Sequence, residues 1–153
     1  MRKTLEKMGS LVFSLLIFLR LANSFHEEAH NWVANYLEVD GYVKYTFWSA
    51  YFYYVDIPTH FQDVVIGLSG GLITAGLIGA FWYVTHRQLK YNRWELDDTV
   101  ALGIVAITHF IYCFFDGFWR VQAVNGTGIA LVIATAVSLI IYGKRILLWI
   151  GEE

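Results

Sequence analysis

Residues 26–30 read His-Glu-Glu-Ala-His, an H-E-x-x-H pattern in which two histidines lie four positions apart. On a helix, positions four apart lie one turn above another on one face, so the imidazoles of His26 and His30 can bind a single metal ion. Glu27 then projects beside them, where its carboxylate can take a proton from a water molecule that the metal activates. Glu28 lies about 100° further round the helix. The pattern therefore predicts a metal site on the two histidines, with Glu27 as general base.

Four apolar runs are available to carry this motif into a membrane. They cover residues 10–19 (continuing less purely to 34), 64–84, 100–115 and 126–142 with an extension toward 150. Of the 153 residues 57% are hydrophobic and 16% are charged, whereas soluble domains average about a quarter charged. Lipid offers backbone amides no partners, so runs near the roughly 20 residues that cross a bilayer should be helical. We predict an all-α, polytopic membrane protein of about four transmembrane helices, forming a single integral membrane domain over residues 1–153.

The motif is expected to lie within the first of these helices; the alternative is that the apolar run ends near Ala22 and the motif forms a solvated helix end. Apolar residues resume after it at Trp32, Val33 and Ala34, so the helix is expected to continue past the histidines. Ionisable groups at membrane depth are costly and usually face a polar interior. This setting favours a functional role for the motif.

An aromatic segment separates the first and second helices. Between positions 41 and 62 it contains Tyr42, Tyr45, Phe47, Trp48, Tyr51, Phe52, Tyr53 and Tyr54, and Pro58 lies near its end. Tyrosine and tryptophan are enriched where a membrane meets water. The segment is predicted to be interfacial, either as a β-hairpin or re-entrant element dipping into the interface or as an anchoring interfacial helix.

The distribution of lysine and arginine predicts the orientation. The N-terminus carries Arg2, Lys3 and Lys7. The second connection carries Arg87, Lys90 and Arg93, and the C-terminal region carries Lys144 and Arg145. The other two connections hold only Lys44 and Arg120. Because cytoplasmic connections carry the excess of positive charge, both termini and the second connection are expected to be cytoplasmic, which places the motif toward the outer face.

The start of the chain also has an alternative interpretation. Basic residues, an apolar stretch and then Ala22-Asn23-Ser24 have the shape of a signal peptide with a small-residue cleavage site. Arg20 interrupts the apolar region just before that site, which argues against cleavage. If cleavage occurred, three helices would remain and the motif would lie near a new N-terminus.

A catalytic zinc takes a third protein ligand and keeps one position open. The chemically suitable candidates are His60, Asp63, His86, His109 and Asp116. If the first and third helices both run outward, Asp116 at the end of the third reaches the level of the motif. His109 and Cys113 precede it by seven and three residues on the same helical face, whereas His86 falls at the opposite end. Asp116 is therefore predicted as the third ligand.

The second helix is rich in small residues. Its glycines are Gly67, Gly70, Gly71, Gly76 and Gly79. Small residues three and four positions apart let membrane helices approach closely, which predicts a packing face. The alternative is that this stretch leaves room for a substrate backbone beside the metal.

Together these features resemble the catalytic core of the site-2 protease family of intramembrane zinc metalloproteases. The resemblance rests on the 26–30 motif in a first helix, a glycine-rich second helix and Phe-Asp-Gly at 115–117 ending a third. It covers roughly residues 11–120 and leaves the fourth helix outside. That family has a three-helix core and cleaves membrane-embedded peptide segments. The zinc ligands that the resemblance implies are His26, His30 and Asp116, and the general base that it implies is Glu27.

The chain departs from that family in two respects. The family's Asp-Gly is usually preceded by an Asn and a Pro, and the corresponding positions here are Thr108 and Ile111. The family's active site generally faces the cytoplasm, whereas the charge distribution places this motif outside. If the resemblance holds, the expected partners are the lipid bilayer and a membrane-protein substrate, and the aromatic segment could offer an edge to an extended substrate by strand addition.

Two other classes of function remain open. A membrane oxidoreductase could use iron or copper on the same histidines and nearby carboxylates, although the His-x-x-His-His clusters of membrane di-iron enzymes are absent. The chain could instead be a small accessory or structural subunit of a larger membrane complex, which its short loops and all-round apolar fourth helix favour. The net charge of −2 says nothing about nucleic acid, but no basic stripe suggests such a partner and none is expected. A single cysteine excludes an intrachain disulfide.

Overall fold

The computed structural model describes residues 2–89, 95–119 and 123–151. Its elements are α1 (Arg2–Tyr36), β1 (Gly41–Tyr45), β2 (Ala50–Tyr54), α2 (His60–Leu89), α3 (Leu96–Phe114), a π-helical turn (Phe115–Trp119) that continues α3, and α4 (Ala123–Gly151). Four of the described helices are long and apolar enough to cross a membrane. The predicted all-α, multi-pass membrane fold is confirmed.

Helix α1 is continuous through the His-Glu-Glu-Ala-His motif. It runs 35 residues without a break and ends only at Tyr36, so the prediction that the helix continues past the motif is confirmed. At 1.5 Å per residue its length is about 50 Å, well beyond the roughly 30 Å of bilayer hydrocarbon. The motif therefore lies in the C-terminal third of a helix whose middle turns are apolar.

The starts of α1 and α3 and the end of α4 meet at one end of the bundle. The Lys7 ammonium donates to the backbone carbonyl of Trp149, and the Ser14 hydroxyl donates to an Asp98 carboxylate oxygen at 2.7 Å. The start of α1 and the end of α4 thus lie on the same side of the bundle as the start of α3. The side of the membrane that this end faces stays a prediction. Three of the charges used for it lie outside the described residues: Lys90, Arg93 and Arg120.

Helix α4 buries one face against the bundle and leaves the opposite, apolar face open. Its buried face repeats every four residues, through Ala130, Ala134, Ser138 and Tyr142. Small residues at this spacing let α4 approach α3 and α1 closely. The opposite face is open, with Ile140 85% exposed, and such a face is suited to lipid.

Tyr142 links α4 to α2 at the end of the bundle away from the motif. Its hydroxyl accepts a hydrogen bond from the Trp82 indole N–H at 2.9 Å and lies 2.6 Å from Nδ1 of His86. Because the hydroxyl proton is free to donate, it satisfies that ring nitrogen. His86 is therefore part of a packing contact, in keeping with its expected place at the far end.

The aromatic segment forms a β-hairpin, one of the alternatives open from the sequence, and not an interfacial helix. Strands β1 and β2 are antiparallel with Val43 opposite Phe52, and the turn is closed by the Thr46 N–H donating to the Ser49 carbonyl at 2.7 Å. Two aromatic side chains at the tip are almost bare, Phe47 at 81% and Trp48 at 79% exposed. This exposure agrees with an interfacial position.

Candidate metal centre

His26, His30 and Asp116 converge on one point inside the bundle. The two imidazole Nε2 atoms are 2.9 Å apart, and Oδ2 of Asp116 lies 3.3 Å from that of His26 and 3.1 Å from that of His30. Ligand atoms about 2.0–2.1 Å from a tetrahedral ion lie roughly 3.3 Å from one another. The three donors are thus spaced as the ligands of one small cation are. Among the described residues no other such group of histidine, cysteine and acidic side chains occurs.

The orientation of His30 is set by helix α2. Its Nδ1 lies 2.6 Å from the backbone carbonyl oxygen of Ile66, and a carbonyl can only accept, so the proton is on Nδ1. In the neutral ring, Nε2 then carries a lone pair that faces Asp116. A second-layer hydrogen bond of this kind fixes the tautomer and ring orientation of a metal-binding histidine. His26 has no equivalent bond, since its buried Nδ1 has no partner among the described residues.

Asp116 reaches the histidines from a π-helical turn. Residues 115–119 follow α3 in this wider winding, which is rare and occurs often at functional sites. Helix α2 approaches the turn so closely that a Cβ built on Gly67 would lie 2.9 Å from the Cα of Gly117 and 3.0 Å from the carbonyl oxygen of Asp116. The Asp-Gly pair is therefore held between α2 and the end of α3.

The glycines of α2 make room for the site itself. A Cβ on Gly70 would overlap the imidazole of His30 and lie 2.9 Å from Nε2 of His26. On Gly71 it would overlap the Cβ of Cys113 on α3. The packing interpretation holds for these positions, since the space that Gly70 leaves is occupied by the imidazoles of His26 and His30. By contrast, a Cβ on Gly76 would meet nothing within 4 Å.

A cavity of about 350 Å³ opens beside the converging side chains, between α1, α3 and the hairpin tip. His26 and Glu27 line it from α1, His109 and Tyr112 from α3, and Trp48 from the hairpin. The His109 Nδ1 lies 2.9 Å from the carbonyl of Val105 one turn earlier, so this nitrogen carries the proton and Nε2 is a free acceptor on the opposite edge of the ring.

The two glutamates of the motif have different environments. Glu27 lines the cavity, and its Oε2 accepts the backbone N–H of Phe52 on β2 at 2.7 Å. Glu28 accepts the hydroxyl proton of Tyr45 on the exposed surface. That hydrogen bond raises the pKa of Tyr45, which lies outside the membrane-spanning helices. Only Glu27 is thus placed beside the converging ligands.

The other third-ligand candidates lie elsewhere. His60 is exposed at the start of α2, Asp63 accepts the Tyr54 hydroxyl at 3.1 Å, and His86 contacts Tyr142. His109 is in the cavity wall but does not join the convergent group. Cys113 is buried, and its thiol donates to a carbonyl one turn earlier. Of the predicted candidates, the structure brings only Asp116 to both motif histidines.

Sequence reasoning missed three residues of the site. Tyr112 lies with its ring centroid 5.4 Å from that of His26, and its spacing of four from Asp116 was a usable signal for a shared helical face. Gly70 was noted only as one of several packing glycines, and no local pattern separates it from Gly76. Phe52 was noted only as an aromatic of the hairpin, since a backbone N–H leaves no trace in a sequence.

No family model matches the chain, and no curated protein or solved structure shows significant similarity to it.

Proposed function

We propose that this protein is an intramembrane zinc metallohydrolase that cleaves membrane-embedded peptide segments. The observation that carries the proposal is the convergence of His26, His30 and Asp116 inside a bundle of membrane-spanning helices. Glu27, the residue with the position of a general base in the motif, lines the cavity that adjoins them.

The donor set suits zinc. Two imidazoles and one carboxylate are a ligand set of catalytic zinc, which leaves a fourth position for water or substrate. Bound there, zinc would lower the pKa of water toward neutrality and polarise a peptide carbonyl. His26, His30 and Asp116 would hold it, and the buried, unpartnered Nδ1 of His26 and the tautomer that Ile66 imposes on His30 are features of the chain that bear on its affinity.

The proton acceptor in this proposal is Glu27. Its Oε2 is engaged by the Phe52 N–H, so Oε1 is the oxygen that takes the proton from the attacking water. The cavity also offers partners to a peptide. An unwound segment exposes N–H and C=O groups that are costly to leave unpaired in a membrane. The free Nε2 of His109 can accept one such N–H, and the Tyr112 hydroxyl can donate to a carbonyl.

The test is a pair of isosteric substitutions, Glu27→Gln and Glu28→Gln. Glu27→Gln removes the proton acceptor and spares all three proposed ligands, so we expect hydrolysis to be lost and bound zinc to be retained. Glu28→Gln should change hydrolysis far less, because that carboxylate faces Tyr45 on the surface. The measurements are zinc content by elemental analysis and cleavage of a model transmembrane peptide in detergent or liposomes.

The reference for zinc content is His26→Ala, which removes one ligand and should lose the metal. Equal behaviour of the two glutamine variants would contradict the assignment of the base. An unaltered protein that binds no zinc and cleaves nothing would contradict the whole proposal.

A second candidate function follows from the same donor set. Two histidines and one carboxylate are also the ligands of non-haem iron(II) oxygenases. An oxidoreductase of that kind would retain iron in preference to zinc, consume oxygen and tolerate Glu27→Gln. The elemental analysis and the glutamine pair therefore discriminate between the two functions.

The accessory-subunit interpretation rests on surface instead of chemistry. The hairpin tip is bare at Phe47 and Trp48, and these aromatic side chains suit either the membrane interface or a partner subunit. In that case neither glutamate has an activity to lose, and both substitutions would alter only stability or assembly.

A further inference from the structure

A polar row on α1 holds the backbone of the hairpin. The row consists of Arg20, Asn23 and Glu27, at spacings of three and four that place them on one helical face. Arg20 is the member of the row that lies at the hairpin turn. Its Nε donates to the carbonyl of Phe47 and its Nη2 to that of Thr46, both at 2.9 Å. Arg20, which interrupts the apolar stretch of α1, thus holds the hairpin turn against this helix.

The other two members of the row, Asn23 and Glu27, accept backbone N–H groups on the edge of β2 that faces away from β1. The Asn23 carbonyl oxygen accepts the Ala50 N–H at 2.7 Å and the Ser49 hydroxyl at 3.0 Å. Two residues along the strand, the Phe52 N–H donates to Oε2 of Glu27 at 2.7 Å. Alternate residues of a strand direct their N–H groups to the same edge. Helix α1 therefore completes the free edge of β2 with side chains.

The register explains why the Phe52 N–H is available. Phe52 is opposite Val43, and since its N–H reaches Glu27, the pair is one of the non-hydrogen-bonded pairs of the antiparallel ladder. The hairpin therefore does not use this N–H for its own pairing. The ring of Phe52 also lies against the site, with its centroid 6.0 Å from that of His30.

We infer that the backbone N–H of Phe52 is a positioning group for Glu27. It holds Oε2, fixes the rotation of the carboxylate and leaves Oε1 for the proton, whereas Arg20 and Asn23 dock the hairpin on α1 through hydrogen bonds that do not involve Glu27. Hydrogen bonds one layer behind metal ligands orient those ligands and are typically worth about 10- to 100-fold in metal affinity or activity, and we expect the same order for the hydrogen bond behind this base. The inference rests on the proposed hydrolase function, because it assigns the orientation of that enzyme's base.

The alternative is that this hydrogen bond only docks the hairpin on α1. Three variants separate the two explanations. Phe52→Pro removes the N–H at an outward-facing position where proline leaves the β1–β2 pairing intact. Phe52→Ala removes the same side chain but keeps the N–H. Asn23→Ala removes two docking hydrogen bonds and leaves the contact between Phe52 and Glu27 untouched.

We expect Phe52→Pro to lower kcat about 10- to 100-fold relative to Phe52→Ala, with KM and zinc content little changed. Asn23→Ala should keep kcat within about threefold of the unaltered protein, although it weakens docking more. If Phe52→Pro and Phe52→Ala have the same kcat, or if Asn23→Ala loses as much as Phe52→Pro, the bond only docks the hairpin and the inference is wrong.

A second measurement needs no proline variant and no turnover. The amide proton of Phe52, observed by NMR in micelles, should shift upfield in Glu27→Gln, since an amide oxygen is a weaker acceptor than a carboxylate. It should not move in Glu28→Gln. An unchanged Phe52 resonance in Glu27→Gln would refute the contact itself. If the unaltered protein binds no zinc and has no activity, the proposed function is refuted, and the positioning role with it.

Discussion

The Nδ1–H of His30 donates to the carbonyl oxygen of Ile66, 2.6 Å away across the contact between α1 and α2. In the neutral ring, Nε2 of His30 then carries a lone pair, and this atom lies 3.1 Å from Oδ2 of Asp116. Ile66 on α2 supplies no ligand, but its carbonyl group fixes the ring orientation of the proposed ligand His30. The metal centre thus depends on the fit of three helices, and its properties can be tested at positions that touch no metal.

Gly70→Ala should lower zinc affinity at least about tenfold, because its methyl group would overlap the His30 imidazole and displace a ligand. Gly76→Ala is the matched control on the same helix, since its methyl group meets nothing within 4 Å. Alanine favours a helix over glycine, so the control should be neutral or slightly stabilising. Competition with a chromogenic chelator measures both affinities. Equal affinities in the two variants would show that α2 does not shape the site.

Zinc should stabilise the folded protein against heat. A ligand that binds only the native state adds about 2.7 kcal/mol at a free concentration 100 times its Kd. Chelation should therefore lower the Tm of the unaltered protein in detergent, and added zinc should restore it. His30→Ala and Asp116→Ala each remove a proposed ligand and should abolish the response. A zinc-dependent Tm that survives in both variants would locate the metal elsewhere.

Tyr142→Phe should destabilise the bundle without changing the metal centre. It deletes the acceptor of the Trp82 N–H and the partner of the His86 Nδ1. Both side chains are half-buried, so the loss for each should lie near the low end of the about 1–3 kcal/mol that an unpaired buried polar group costs. Thermal unfolding measures the loss. Tyr83→Phe is the control, since that side chain is exposed and its hydroxyl accepts a hydrogen bond of only 3.5 Å from Arg87, while the ring that Arg87 also contacts is kept. A fall in zinc affinity in Tyr142→Phe would contradict the separation of the two ends.

The predicted orientation is testable with single cysteines in a Cys113→Ala background. Val55 lies after the hairpin and Glu95 before α3, and both are exposed. An impermeant maleimide applied outside should label Val55→Cys and not Glu95→Cys. These positions carry no lysine or arginine, so the substitutions leave the charge bias intact. Labelling of Glu95→Cys from outside would reverse the orientation and move the metal centre to the inner face.

The sequence alone was sufficient for the features that depend on local order along the chain. Hydrophobic runs predicted four spanning helices because each span must satisfy its own backbone in lipid. The pairing of His26 with His30 followed from helix geometry, which makes residues four apart neighbours whatever the rest of the chain does. Asp116 was reached by one further step, since an alternating path through the bilayer brings the end of the third helix to the level of the motif.

Only the tertiary structure decided what depends on how the helices rotate against one another. Depth matching favoured Asp116, and His109 shared its helical face two turns earlier. In the structure α2 packs on the π-helical turn, Asp116 reaches the histidines, and His109 lies in the cavity wall. Gly70 and Gly76 both lie among the small residues of α2, but an added Cβ would meet both imidazoles at Gly70 and nothing within 4 Å at Gly76. The contact of Glu27 with the Phe52 N–H joins positions 25 residues apart through a backbone atom. Side-chain types encode none of this, because contacts between distant segments are set by the packed bundle as a whole.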